Sequence, residues 1–537
     1  MLHFKKVDEV YFYVYPHKGE ENDDLVELQK EFSVEHPERF YMDDYKKNKW
    51  DGTVKFIKFV DKTRMVAIAP VGLFLEIFEY LRNRNIKFVI DDNDYGIKDL
   101  NLENFDEYVE QIQPENKKML TPERYYQVIA AKTALEYNRS ILELTTGAGK
   151  SLILYAFIRY LFDYEFEKGE KFLLVVPSTD LVEQMYDDFI EYGIPEKAIK
   201  RIYSGKEKVF KRPIVISTWQ SLFKYDFKFF EQFSGLAIDE VHRAKGVEIS
   251  RIAENCINAR FRLGTSGTVY SKKKDIFKYF SITAFLGMPF TPDKAQTNTL
   301  IETGVLTDFY VRHIVFNWVK MEKGKPAKFK IENFNYNLEY DMILESQKRK
   351  EMIINYILNF WKNRDVKKST FLILSKRVKY VEEIYAELVK RLKSDKDVQY
   401  IHGQIKTEKR KEILAYIKEH GGLVSANVDI LGTGVNIPNV SDVFFVNPIK
   451  SDILLLQSIG RSVRRYDGKS LAKIHDFVDK IPVKGVKENT VYSWLTEKKK
   501  LYVSKQYKFD VVEVDLMVNR GKKSIDEIVN GENNGEN

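Results

Sequence analysis

The stretch LTTGAGKS, from Leu144 to Ser151, sets two glycines, a lysine and a serine in an order that can cradle a polyphosphate. Gly147 and Gly149 let the backbone curl around an anion, Lys150 can place its charge on β/γ oxygens, and Ser151 can offer a hydroxyl to Mg2+. Thr146, Gly147, Ala148, Gly149, Lys150 and Ser151 are therefore the expected nucleotide-binding residues. Leu144 stands where the simplest loop of this kind has its first glycine. Downstream, GLAIDEVHRA places Asp239 and Glu240 at the end of an apolar run. A carboxylate there can hold a metal's water shell, and its neighbour can take a proton from an attacking water. Asp239 with Ser151 is the expected metal pair and Glu240 the expected general base. Taken singly, the loop reads also as a glycine-rich turn into a helix and the acidic pair as a solvated loop start; their order in the chain makes hydrolysis of a nucleoside triphosphate the expected chemistry.

These side chains need a strand before the loop and a helix after it. SILEL supplies the strand, and the apolar SLILYAFIRYLF supplies a helix whose N-terminus sits under the anion. From about Thr121 the apolar runs SILEL, FLLVV, IVIS, GLAID and FRLGT are spaced by helical patterns, as buried parallel strands are. A second set, STFLIL, VQYI, GLVS, DVFFV and AKIHDF, begins near Ser369. Two α/β domains in tandem are the economical reading. Ahead of them, VKFIKFV and MVAIA read as strands around a DKT turn. Leu73, Phe74, Ile77, Phe78 and Leu81 recur at helical spacing, and IKFVI follows as a strand. The polar DDNDYGIKDLNLENFDE, with QPENKK beyond it, reads as an interdomain connection. The predicted divisions are a small α/β nucleic-acid-binding domain over 1–115, motor domains over 116–312 and 313–482, and a C-terminal extension over 483–537 ending in a disordered tail.

Composition bounds the class. A chain of 537 residues can bury several cores, and no apolar run reaches the roughly 18 to 20 residues of a membrane helix. The N-terminus lacks a signal-peptide pattern and Cys256 is the only cysteine, so a reducing, cytoplasmic home without membrane attachment is expected. The net charge of +7, from 86 Lys+Arg against 79 Asp+Glu, permits a polyanionic partner without demanding one.

The order of further motifs carries a resemblance. DEVH at Asp239 to His242 resembles the DExH box of superfamily 2 helicases, and QSIGRSVRR at Gln457 to Arg465 resembles their QxxGRxxR signature. RYYQ ending at Gln127, VVPSTDLVEQ, STWQSL, TSGT, YIHGQIKTEKR and LGTGVNIP follow in the family's order, over roughly Thr121 to Asp479. The resemblance implies two RecA-like motor domains and an ATP-hydrolysing helicase that uses Mg2+. Gln127 would read the adenine edge, with Tyr126 packed nearby, and Gly434 would lie on the nucleotide side of its segment. Gln457 would help sense the γ-phosphate or position the water, while Arg461 and Arg464 would act as arginine fingers that reach the γ-phosphate when the two domains close. In isolation RSVRR reads equally as a basic patch on a helix. Ser178, Thr179, Thr218, Gln220, His402, Gly403 and Thr433 would line a groove for a nucleic-acid strand. Ser and Thr in such turns also commonly cap helices. Ser266 and Thr268 match the segment that couples the nucleotide site to the groove. Gly267 replaces the commoner alanine there, and Asn436 stands where relatives carry aspartate.

RFYMDDYKKNKWDGTVKFI, at Arg39 to Ile57, looks like the N-terminal domain of the UvsW-type helicases of T-even phages. That resemblance implies a motor for branched DNA such as forks, D-loops and four-way junctions, working as a monomer in recombination and repair. Lys46, Lys47, Lys49 and Trp50 mix phosphate-binding charge with a stacking ring. The same residues read equally as ordinary surface lysines around a core tryptophan. An RNA helicase and an ATP-gated binding or annealing protein remain open alternatives. A DNA-packaging motor is disfavoured, because QSIGRSVRR has no place in one. Lys272 to Lys274 and Lys498 to Lys500 read as solvated charge.

Overall fold

Alternating apolar residues in Leu2–Lys6 and Tyr11–Pro16 make an antiparallel hairpin that buries Leu2 and Phe4 from one strand and Phe12 and Val14 from the other. The hairpin is the middle of a five-stranded sheet, ordered Lys58–Phe59, Ala67–Pro70, Tyr11–Pro16, Leu2–Lys6 and Phe88–Ile90. The later strands were legible from the sequence, whereas the central hairpin was not singled out. Phe4, Phe12 and Phe74 pack at ring separations of 5.6 to 6.0 Å and join the sheet to the helix Phe74–Asn83. In this computed structural model the described residues are 1–60, 63–91, 100–203, 211–242, 246–267, 272, 275–293, 295–364, 368–402, 405, 407–428, 437, 439–450 and 471–517. The chain divides into two units, Met1–Gln296 and Thr297–Asn537. The expected break between 312 and 313 falls inside a single strand, Asp308–Glu322.

Within the first unit the small sheet and the motor sheet share one continuous core running from Leu2 to Leu286. Gly72 makes this possible, because a Cβ there would lie 2.2 Å from the Thr283 carbonyl oxygen and 2.6 Å from that of Ala284. Backbone meets backbone at that point, against the helix Ile276–Leu286. The buried Glu76 accepts from Tyr279 at 2.9 Å and also pairs with Lys272, so this lysine is not free surface charge. The presumed connection contains a helix, Phe105–Ile112, with Phe105, Tyr108 and Val109 buried. The Tyr155 hydroxyl donates to its last carbonyl at 2.9 Å. Its apolar residues recur at helical spacing, a pattern obscured by the polar residues around them.

The motor sheet of this unit has seven parallel strands: Ile199–Ile202, Ile214–Thr218, Lys171–Val176, Phe233–Asp239, Phe261–Ser266, Arg139–Glu143 and Pro289–Phe290. Helices cover it, which is why its strands read as unbroken apolar runs. The strand leading to LTTGAGKS and the strand ending in Asp239 are therefore not neighbours, since Phe261–Ser266 runs between them. Arg262 on that middle strand is fully buried and donates to the carbonyls of Ala253, Cys256 and Ala259. A cation thus closes the C-terminal end of the helix Gly246–Asn255, where unpaired carbonyls favour positive charge.

The second unit holds a second parallel sheet, ordered Phe509–Met517, Asp308–Glu322, Leu471–Lys480, Val440–Phe445, Thr370–Ser375, Gly422–Asn427 and Val398–Ile401. Lys325–Ala327 folds back antiparallel on the long strand. The C-terminal extension is part of this fold. Its last described strand pairs with Val311 to Val319, and its helix Thr490–Ser504 has its first turn capped by the buried Glu339 carboxylate, which accepts from the Thr490 and Val491 amides. Lys498 corrects the reading of solvated charge. It is 5% exposed and donates to Asp476 at 2.6 Å, because the helix face that carries it lies on the sheet.

Candidate active site

The strand Arg139–Glu143 delivers the chain to the carboxyl edge of the sheet, the end where parallel α/β sheets bind ligands. Gly147 and Gly149 then take left-handed backbone angles, φ +90° and +81°, and the helix Lys150–Tyr160 begins at once. Side chains rarely adopt this region, so the glycines are what the turn requires. A Cβ on Gly149 would also sit 2.3 Å from Gln127 Nε2. Gly149→Ala is expected to weaken nucleotide binding at least about tenfold, with strain of roughly 1–2 kcal/mol at one backbone position as the minimum cost. Titration of the purified variant with a fluorescent ATP analogue measures it.

Gln127 is buried and its amide nitrogen donates to the Ala148 carbonyl at 2.8 Å; the Tyr126 hydroxyl donates to the same oxygen at 2.7 Å. The residue predicted to read adenine is thus joined to the phosphate loop itself. Its carbonyl oxygen has no hydrogen-bond partner among the described residues. That acceptor is suited to an amino donor such as the exocyclic nitrogen of adenine.

Lys150 Nζ lies 2.5 Å from Glu240 Oε1, so the loop lysine and the expected base meet across the intervening strand. Glu240 occupies a left-handed backbone position, φ +53°. A non-glycine residue held there costs roughly 1–3 kcal/mol and such strain concentrates at functional sites. Its second oxygen is 3.3 Å from His242 Nδ1, which also meets Ser266 Oγ at 2.7 Å. Lys150, Glu240, His242 and Ser266 therefore form one polar chain, and the predicted coupling serine is its far end. Gly267 lies beside the loop, yet an alanine methyl there would make only ordinary contacts, 3.5 Å to Thr146 Oγ1. The packing does not demand glycine at this position.

Asp239 is buried and accepts from Thr265 Oγ1 at 2.6 Å. Burial pushes its carboxyl above the ordinary range; Lys150 opposes that shift and Glu240 adds to it. A divalent cation would favour the ionised form. Among the described residues no cluster of three or more His, Cys, Asp or Glu could hold a metal. One carboxylate and one hydroxyl, Asp239 and Ser151, are an all-oxygen set of the kind that binds Mg2+ together with nucleotide phosphates.

The predicted strand-groove residues separate. Val176 and Thr218 pair in neighbouring strands, so Ser178 and Thr218 emerge side by side at the carboxyl edge. Both hydroxyls cap helices, Ser178 accepting from the Leu181 amide and Thr218 from the Ser221 amide, each at 3.3 Å. Thr179, which follows Ser178 directly, and Gln220, two residues after Thr218, are exposed. His402 belongs to the second unit, half-buried and stacked on Tyr400 at 4.9 Å. Gly403, Thr433, Gly434, Asn436, Gln457, Arg461, Arg464 and Thr268 lie outside the described residues.

The stretch from His36 to Gly52 is an excursion between the paired strands Ser33–Glu35 and Thr53–Lys55. Phe40 and Tyr41 are 58% and 81% exposed there, and Lys46, Lys47 and Lys49 are exposed too. Trp50 is half-buried and its indole donates to the Thr53 carbonyl at 2.9 Å. It faces an open groove of about 570 Å³ that Lys49, Lys55 and Lys58 also line. Two features missed in the sequence, Phe40 and the groove, need tertiary contacts to be seen.

A P-loop on one parallel strand, an acidic pair on another and a linking serine on the strand between define a superfamily 2 helicase motor. Residues 120–271 match the family model of the Type III restriction enzyme res subunit, and 348–466 match the helicase conserved C-terminal domain. The ATP-dependent DNA helicase UvsW of Enterobacteria phage T4 is 30% identical over 491 residues, covering 90% of each chain. This chain belongs to the UvsW family, ATP-hydrolysing helicases with two tandem RecA-like domains. Solved structures share the fold. A DEAD-box helicase bound to single-stranded RNA has a TM-score of 0.53 at 17% identity, covering 82% of this chain and 84% of its own. An ATP-dependent Type ISP restriction-modification enzyme bound to DNA has a TM-score of 0.50 at 16% identity, covering 78% of this chain and 32% of its own.

Proposed function

We propose that this protein is an ATP-driven DNA helicase that remodels branched DNA, such as forks, D-loops and four-way junctions, in the recombination, repair and replication of a phage. It works as a monomer in the host cytoplasm, without a membrane; no helix among the described residues is long and apolar enough to cross one. The observation that carries the reading is the meeting of Lys150 with Glu240 beside Asp239, in a chain that aligns over 90% of its length with a DNA helicase. Lys150 holds the β/γ oxygens, Glu240 takes the proton of the attacking water, and Gln127 contributes to the adenine end. Ser151 and Asp239 would hold Mg2+, which would neutralise charge on the phosphates. Gln457, Arg461 and Arg464 from the second motor domain complete the site on closure, so hydrolysis follows domain movement. Ser178, Thr179, Thr218, Gln220, His402, Gly403 and Thr433 carry the strand, while Ser266 and Thr268 couple it to the nucleotide.

The excursion bearing Lys46, Lys47, Lys49 and Trp50 supplies the second grip. Replacing the three lysines with alanine is expected to lower DNA affinity on every sequence alike and to reduce the salt slope of log K by about 2 to 3, the share of three phosphate contacts. Fluorescence anisotropy across salt concentrations measures it. The function itself is tested by ATP hydrolysis without polynucleotide and with single-stranded DNA, duplex DNA, a four-way junction or RNA, alongside strand separation. Stimulation by DNA with junction unwinding supports the proposal. Stimulation by RNA alone makes the protein an RNA helicase, and strand pairing in Lys150→Ala makes it an ATP-gated binder.

A further inference from the structure

The strand Ile214–Thr218 ends at the carboxyl edge of the first motor sheet, where the Thr218 hydroxyl caps the short helix Trp219–Leu222. The chain then runs on as FKYDFKFF, from Phe223 to Phe230, an aromatic stretch to which the ATP site gives no role. Its residues part in two directions. Tyr225, Phe229 and Phe230 join the core of the first unit, the Tyr225 and Phe229 rings lying 4.1 Å apart. Phe223 and Phe227 stay outside, 48% and 44% exposed, and Lys224 and Lys228 are exposed beside them.

Single exposed apolar residues are ordinary on a protein surface. Two phenylalanines four residues apart, each followed by an exposed lysine, form a pattern. A third cation joins them from another element: Arg251, exposed on the helix Gly246–Asn255, sets its guanidinium 4.3 Å from the centre of the Phe223 ring. A cation over a ring at this distance attracts it and fixes its orientation. Asp226 is the one acid in the stretch, and its carboxylate accepts from the Phe229 amide at 3.2 Å, capping the helix Phe227–Phe230. The surface just beyond Thr218 therefore offers two rings among three cations. An apolar peptide would cover the rings and leave the cations without partners. A polyanion that also presents flat apolar faces matches both.

We propose that Phe223 and Phe227 are a stacking platform for the unpaired bases of a single DNA strand, with Lys224, Lys228 and Arg251 at its phosphates. Every base has a face that stacks on an aromatic side chain, so such a platform grips without regard to sequence. In a duplex those faces are covered by the neighbouring pairs. The platform thus tells unpaired from paired DNA, which the lysines alone do not. The inference rests on the reading of this protein as a DNA helicase and names residues by which it holds the unpaired strand.

The test is binding of a labelled oligothymidylate and of a blunt DNA duplex to the full chain, read by fluorescence anisotropy. Phe223→Ala and Phe227→Ala are each expected to weaken binding of the oligothymidylate at least about fivefold, the low end of the worth of one stacked base, and to leave duplex binding unchanged. Tyrosine at either position is expected to keep the native affinity and leucine to lose it, because leucine fills the space without offering a ring. Lys224→Ala combined with Lys228→Ala is expected to lower the salt slope of log K on the single strand by about 1 to 2. Native affinity for the oligothymidylate in both alanine variants, an equal loss on the duplex, or leucine serving as well as tyrosine overturns the proposal. A wild-type dimer that the alanine variants break overturns it too, and makes the patch a contact between copies of the chain. Wild-type protein whose ATP hydrolysis responds to DNA keeps the helicase reading whichever way the phenylalanines behave. Wild-type protein that binds neither DNA removes both.

Discussion

Glu240→Gln is expected to bind ATP as well as the native protein and to hydrolyse it about 10²- to 10⁴-fold more slowly, the usual contribution of a positioned general base. The amide matches the carboxylate in size and can occupy the same left-handed backbone position, so the polar chain through His242 to Ser266 keeps its geometry. What disappears is the proton acceptor. The charge opposite Lys150 disappears too, and a lysine no longer paired at 2.5 Å meets the phosphates without first leaving a carboxylate. Nucleotide affinity should therefore hold or rise while turnover falls. Lys150→Ala separates the roles, since it is expected to lose affinity and turnover together. Steady-state hydrolysis and analogue titration on the three proteins decide the matter; near-native turnover in Glu240→Gln would sink the assignment of the base.

The second large effect concerns stability. Arg349 and Asp479 form an ion pair in which both side chains are fully buried. The guanidinium donates to both carboxylate oxygens at 2.8 and 3.0 Å, to the Tyr380 hydroxyl at 3.1 Å and to the Val446 carbonyl at 2.8 Å, while the Trp318 indole donates to Asp479 at 2.9 Å. One arginine thus ties the helix Gln347–Lys362 to the strand Leu471–Lys480 and to the chain after Val440–Phe445. Arg349→Ala leaves a carboxylate in a dry core and is expected to destabilise the second unit by about 3–5 kcal/mol. Changing both partners to apolar residues of similar volume is expected to cost far less, because no uncompensated charge remains. Urea unfolding followed by tryptophan fluorescence measures it, since Trp318, Trp361 and Trp494 lie in this unit; a single substitution costing under about 1 kcal/mol would show that the pair is not what holds these elements.

The helix Phe105–Ile112 shows where reading by pattern stopped. Four apolar positions recur in it at helical spacing, but the acidic and amide residues around them gave the segment the composition of a linker. The central hairpin of the first sheet passed unnoticed for a similar reason, since strand alternation over five or six residues is a weak signal until a partner strand is known. Lys498 is the reverse case. Three lysines in a row read as surface, and nothing local distinguishes the one that turns inward to Asp476.

The sequence alone determined the phosphate loop, the acidic strand end and the alternation of apolar runs with helices. These are short-range features, in which residue type and spacing dictate the backbone: glycines at the left-handed positions 147 and 149, a helix starting at Lys150, and strands with no polar face. Tertiary structure decided which distant groups touch. It placed Phe261–Ser266 between the loop strand and the Asp239 strand, brought Lys150 to Glu240, fused the small N-terminal sheet into the first motor core, and set the Ser151 hydroxyl against that of Tyr192. Each of these depends on which faces the folding chain buries against one another. That choice is set by the packing of the whole core, and no local stretch of sequence contains it.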